Sequence, residues 1–204
     1  MSAGGASACR VSPGAAPSVV ETWFGASFSR LHPQLQALHR EGGTLTGPVE
    51  FEAGRGLGGL LGGIALRRLR IDPSAGPHTL TVRIRHDARG LHWARRFNDG
   101  RELVSLFQPH GQWPSGHWIE RAGPLALKLD VDFVDGGWRW RPLEYRFYGC
   151  TLPRWLCPCV DAGKRIVGDA YRFDIRVALP GLGTVLAYGG DLRLQLPSEP
   201  FVAT

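Results

Sequence analysis

From residue 79 onward apolar and polar residues alternate with a period of two, and that period predicts strands. Leu80, Val82 and Ile84 fall on one face, with Thr79, Thr81, Arg83 and Arg85 on the other. Leu91, Trp93 and Phe97 open the next strand. Asn98, Asp99 and Gly100 supply the left-handed backbone of a hairpin turn, and residues 101–108 return. Residues 109–116 read as a loop and 117–121 as extended chain. The cleanest alternation is Leu125, Leu127, Leu129, Val131 and Phe133, set against Lys128, Asp130 and Asp132. Asp135, Gly136 and Gly137 turn that strand back into residues 138–148, where Pro142 predicts a bulge or an edge position. Residues 152–158 form a short apolar excursion with Trp155 and Leu156. A last hairpin joins 165–179, with Tyr171, Phe173, Ile175 and Val177 on one face, to 184–196.

Before residue 79 the spacing is mostly helical. Trp23, Phe24, Phe28 and Leu31 recur at about one turn, and Pro33 suits the first turn of a second piece carrying Leu35 and Leu38. Residues 44–53 read as a strand interrupted at Pro48. In 56–69, Leu57, Leu60, Leu61 and Ile64 form an amphipathic stripe, and Arg67, Arg68 and Arg70 close the helix at its negative end. Glycines crowd this helix, and each costs about 1 kcal/mol against Ala. The stripe is therefore expected to pack on a sheet, with a mobile lid as the other reading.

The pattern gives a mainly β (α+β) fold. Eight to nine strands form an antiparallel meander curling into a barrel or half-barrel, with two or three short helices. Residues 1–17 lack bulky side chains and read as a disordered tail; 18–197 is one β-rich domain and 198–204 a second tail.

The 204 residues suffice for one core, and seven Trp provide unusually large buried or pocket-lining surfaces. The net charge of +6 comes almost wholly from arginines spread along the chain, a diffuse pattern that argues against a nucleic-acid groove. Cys157 and Cys159 are too close for paired zinc ligands, and with Cys9 and Cys150 they read as reduced cytosolic thiols. No signal peptide or transmembrane run is visible, so a soluble, cytoplasmic protein is expected.

No phosphate loop, dinucleotide fingerprint or nucleophile elbow is present, and no cofactor or metal is expected. Asp130 and Asp132 share a strand face that reads as solvated surface, and the seven His lack metal-ligand spacing. Two stretches stand out. WPSGHWIERAGP at 113–124 holds Trp118, Glu120 and Arg121; WRWRPLEYRFY at 138–148 interleaves rings and arginines around Glu144 and Arg146. With Trp93 and Tyr171 these are the candidate ligand-binding residues.

The order of motifs resembles the bacterial family called domain of unknown function 4166. The pieces are FSRLHPQLQ at 28–36, GRGLGGLLGGI at 54–64, RRFNDGRELVS at 95–105, WIERAGPLALKLDVDFVDGGWRWR at 118–141, LPRWLCP at 152–158 and YRFDIRVALPGLGTVLAYGGDL at 171–192. The resemblance implies a domain often attached behind an oxidoreductase-like, nucleotide-binding domain, and assigns no catalytic residue.

Three functions follow as expectations. The first is binding of a small apolar or amphipathic ligand in a barrel mouth. The second is an accessory domain docking on an oxidoreductase-like protein partner. The third is an enzyme of undetermined type using Glu120, Arg121, Glu144 and Arg146, which requires two of them at one cleft.

Overall fold

Ser18 accepts a hydrogen bond from the Glu21 amide at 3.2 Å and starts helix α1, Val19–Phe24. The computed structural model describes residues 17–197. The expected tails, Pro17 apart, lie outside the described residues, as does Cys9. A 3-10 helix, Gly25–Arg30, leads to α2, Pro33–Glu41, with Pro33 in its first turn and Gly42 ending it in the left-handed region (φ 77). Val20, Trp23, Phe24, Phe28, Leu31, Leu35 and Leu38 are all buried.

Eleven strands follow: β1 Gly43–Ala53, β2 His78–Asp87, β3 Gly90–Phe97, β4 Leu103–His110, β5 His117–Ala122, β6 Leu125–Val134, β7 Gly137–Phe147, β8 Cys150–Thr151, β9 Cys159–Val167, β10 Ala170–Leu179 and β11 Gly183–Gln195. Each of β1 to β6 pairs with the next, β6 pairs with β7, β7 with β9, and β9 through β10 and β11 back to β1. All pairs are antiparallel, so ten strands close a barrel, while β8 is a two-residue flap on the end of β7. Closure removes the exposed edges that a meander of this length would otherwise carry.

The pattern predicted eight to nine strands, and the described residues hold eleven. The difference arises at the short pieces 150–151 and 159–163, which carry little alternation, and in hairpins whose turns are only two residues long. β1 does not break at Pro48. It keeps pairing with β2 there, and the ladder to β11 omits residues 47 and 48. The expected irregularity at Pro142 is found: the β6–β7 register shifts where Leu129 faces Pro142 and Lys128 faces Glu144.

Antiparallel connectivity sorts every connection to one of two ends. The near end carries α1, α2 and the turns at 88–89, 111–116, 135–136 and 168–169. The far end carries α3, Gly56–Arg68, together with the turns at 98–102, 123–124 and 180–182 and the 148–158 segment. The two N-terminal helices plug the near end: Trp23 packs on Trp118 (5.4 Å between ring centroids), Phe24 on Phe133 (4.9 Å) and His39 on Trp138 (4.7 Å).

Helix α3 overturns one expectation. Its leucine stripe does not pack on the sheet; Leu57 is 67% and Leu60 61% exposed, and Leu61 and Ile64 are exposed as well. The buried face is the glycine face, with Gly58, Gly62 and Leu66 inward. A Cβ on Gly62 would stand 2.0 Å from the Val185 carbonyl oxygen, and one on Gly58 2.6 Å from that of Leu182. Backbone meets backbone, so the glycines allow a close approach that side chains would prevent.

Candidate functional site

Period-two alternation places Trp93 and Arg95 on β3, Ser105 and Phe107 on β4, Trp118 and Glu120 on β5, Trp138 and Trp140 on β7, Lys164 on β9, Tyr171 and Phe173 on β10 and Tyr188 on β11 in the barrel interior. Lys164 is the unexpected member. It is 5% exposed, in phase with Ala162 and Ile166, and directly opposite Trp138 and Phe173 on the neighbouring strands.

Its Nζ lies 3.4 Å from the Trp138 ring centroid, 4.4 Å from that of Trp93 and 5.8 Å from that of Trp140. Among the described residues it contacts His39 Nε2 at 3.4 Å, lies near enough to His86 to act on it, and forms no ion pair with a carboxylate. Burial drives the Lys164 amine well below its ordinary value, while the indole faces pull the other way by favouring the ammonium form. His39, fully buried, is pushed far down by desolvation first and then by Lys164 and His86. His86 falls to about 4, chiefly through burial and then through His92.

Next to this cage stands a polar cluster. Arg95 donates to Ser105 Oγ and pairs with Glu120 at 3.0 Å, with side chains 24% and 17% exposed. The Arg95 guanidinium is also 5.9 Å from the Trp93 ring, so both cations neighbour that indole. Burial raises the phenols of Tyr171 and Tyr188, keeping both protonated.

The lumen holds several buried polar atoms that lack a hydrogen-bond partner among the described residues. The indole N–H groups of Trp93, Trp118, Trp138 and Trp140 are buried without a partner, as are Arg95 Nε and both ring nitrogens of His86. Such groups are uncommon in folded interiors, and each costs about 1–3 kcal/mol. In the half of the lumen against α1 and α2 the rings touch: Phe107 stacks on Trp140 at 5.4 Å, and Trp118 meets Trp140 at 6.0 Å. Arg95, Glu120 and Tyr188 are only half-buried and lie toward the far end.

Two hollows lie outside the lumen. One of about 460 Å³ at the near end is walled by Arg30, Trp113, Phe133 and Arg141. The other, about 430 Å³ at the far end, is walled by Arg68, Arg70, Phe97, Asp99, Arg101 and Leu103.

Of the candidate residues, Trp93, Trp118, Glu120 and Tyr171 face the lumen. Arg121, Glu144 and Arg146 face outward: Arg121 donates to Gln108 at 3.2 Å, and Glu144 pairs with Arg146. Glu120 therefore shares no cleft with them. Asp130 pairs with Arg141 on the outer surface. No group of three potential metal ligands occurs among the described residues, and no described helix is long and apolar enough to cross a membrane. Lys164, Arg95 and His39 escaped the sequence reading. The available signal was a lysine, one of two in the chain, falling in phase with an apolar strand face.

The family model described as Domain of unknown function (DUF4166) matches residues 31–192. No curated protein and no solved structure matches the chain.

Proposed function

The chain belongs to the DUF4166 family, whose description assigns no chemistry, and we propose from the lumen alone that the barrel binds a small amphipathic ligand carrying an oxygen acceptor, a carboxylate above all. One observation carries the reading: among the described residues the interior holds Lys164, Arg95 and four indole N–H groups without a partner, against one carboxylate, Glu120. A carboxylate supplies both the missing acceptor and the missing negative charge. Its apolar body suits the aromatic walls.

The half-buried side around Arg95, Glu120 and Tyr188 is the entry. The touching rings nearer α1 must turn aside before the oxygens reach Lys164. An anion there restores the charged state of Lys164, so binding takes up a proton.

Decanoate titrated into the protein, followed by intrinsic tryptophan fluorescence, tests the proposal. Saturable quenching is expected, stronger than with decanol and lost in Lys164→Met. An unsaturable response, or an equal one in the variant, overturns it. The tryptophans at 93, 138 and 140 lie within 6 Å of the lysine and report directly on its surroundings.

A further inference from the structure

The far end of the barrel is unlike the rest of the surface. Helix α3 turns its glycines to β11 and leaves Leu57, Leu60, Leu61 and Ile64 exposed in one stripe. Leu182, in the turn beneath Gly58, is exposed beside it. On the β7 side of the same end, Tyr148 is 78% and Trp155 70% exposed, with Phe147 and Leu156 also in solvent. Large apolar and aromatic side chains thus flank the far mouth on two sides. A spread of this kind marks an interaction surface rather than ordinary exposure.

Charge selects the partner. The far-end connections hold Arg55, Arg67, Arg68, Arg70, Arg101 and Arg154 against Asp72, Asp99 and Glu102, six positive side chains to three negative. Glu102 is already paired with Arg83 on β2. The near-end connections and helices hold Arg30, Arg40 and Arg89 against Glu21, Glu41, Asp135 and Asp169. The molecule therefore carries its positive pole at its apolar end. Residues 54–71 contain four arginines and no acid. Among the described residues Arg67, Arg68, Arg70 and Arg101 have no acidic partner. Arg68, Arg70 and Arg101 outnumber one acid, Asp99, around the hollow of about 430 Å³, whose other walls include Leu69, Phe97 and Leu103. That space combines a cationic rim with an apolar floor, as a phosphate headgroup with its first acyl carbons requires.

We propose that the far end docks peripherally on an anionic lipid surface, with the α3 stripe and Trp155 entering the interface and Arg68, Arg70 and Arg101 holding lipid phosphates. Exposed leucines and a tryptophan at the level of flanking arginines are the chemistry of interfacial binding. A second copy of this chain would cover the stripe but set arginine against arginine, whereas an anionic lipid surface satisfies both the stripe and the charge. This proposal stands independently of the lumen ligand.

The test is co-sedimentation of the full chain with vesicles of phosphatidylcholine, with and without phosphatidylglycerol. Binding to the anionic vesicles that weakens with salt is expected, and little binding to the neutral ones. The double variant Arg68→Gln/Arg70→Gln should bind about thirtyfold more weakly, from roughly 1 kcal/mol per arginine. Leu60→Ser/Leu61→Ser should also lose binding while keeping the wild-type far-UV spectrum and melting temperature. The proposal is overturned if the wild type ignores anionic vesicles, or if it binds both vesicle types alike. It is equally overturned if the leucine variant instead dissolves a dimer seen by sedimentation without lipid, which would give the stripe to a second copy.

Discussion

His39 on α2 and Lys164 on β9 face each other at 3.4 Å in the barrel interior, two bases side by side with no carboxylate on either among the described residues. Desolvation depresses both, and Lys164 lowers His39 further. The helical plug and the barrel wall thus meet at a point where the folded state resists charge.

Lys164→Met should stabilise the protein near neutral pH. The unfolded chain carries a charged lysine there, while the folded chain desolvates it, so the wild type gives up stability at every pH below the ordinary lysine value of 10.5. An apolar side chain of similar length removes that cost, with a gain on the order of 1 kcal/mol or more. Urea denaturation at several pH values checks it: the gap between variant and wild type should shrink as pH rises toward that value and be gone above it. An unchanged or lowered midpoint at neutral pH would show that the indole cage outweighs desolvation.

Acid should destabilise the fold before most carboxylates titrate. His86 falls to about 4 when folded against 6.5 ordinarily, so between those values the unfolded chain binds a proton that the folded chain refuses. The associated stability is intact above pH 6.5 and disappears as pH falls toward 4, on the order of 3 kcal/mol in all for this residue. His39 acts in the same direction. His86→Phe should flatten the decline in melting temperature over that window; a parallel decline would place its origin elsewhere.

Gly62 and Gly63 adjoin in α3 and should respond oppositely to alanine. A Cβ at Gly62 meets the Val185 carbonyl oxygen at 2.0 Å, so Gly62→Ala must push the helix off β11 and destabilise by about 1–3 kcal/mol. Nothing lies within 4 Å of a Cβ at Gly63, so Gly63→Ala should stabilise by up to about 1 kcal/mol through helix propensity. Thermal melts of the pair decide the matter, and equal shifts of one sign would contradict the packing.

Two leucines of the same helix separate in the same way. Leu66 is 1% exposed, and Leu66→Ala should cost about 2–5 kcal/mol. Leu60→Ser should change stability by no more than about 0.5 kcal/mol, since the side chain rests on little of the domain. A large loss at Leu60 in chemical denaturation would mean that the stripe packs against this chain after all.

Alternation set the antiparallel meander, the Asn, Asp and Gly clusters marked its hairpin turns, and Pro142 marked its irregularity; period two also sets Trp118 and Glu120, and Tyr171 and Phe173, on shared strand faces. The same period sets Arg121 on the other face, but it would leave Glu144 and Arg146 in phase with Trp138 and Trp140; only the register shift at Pro142 turns those two outward and Tyr145 inward. What alternation could not supply was closure. Pairing β6 with β7 and β11 with β1 brings side chains from strands far apart in sequence into one lumen, and only there does Lys164 meet His39, Trp93 and Trp138. Helix α3 followed the same division. Its period located the helix, but which face is buried depended on how closely two backbones could approach, and that distance exists only between β11 and the glycines of the folded chain.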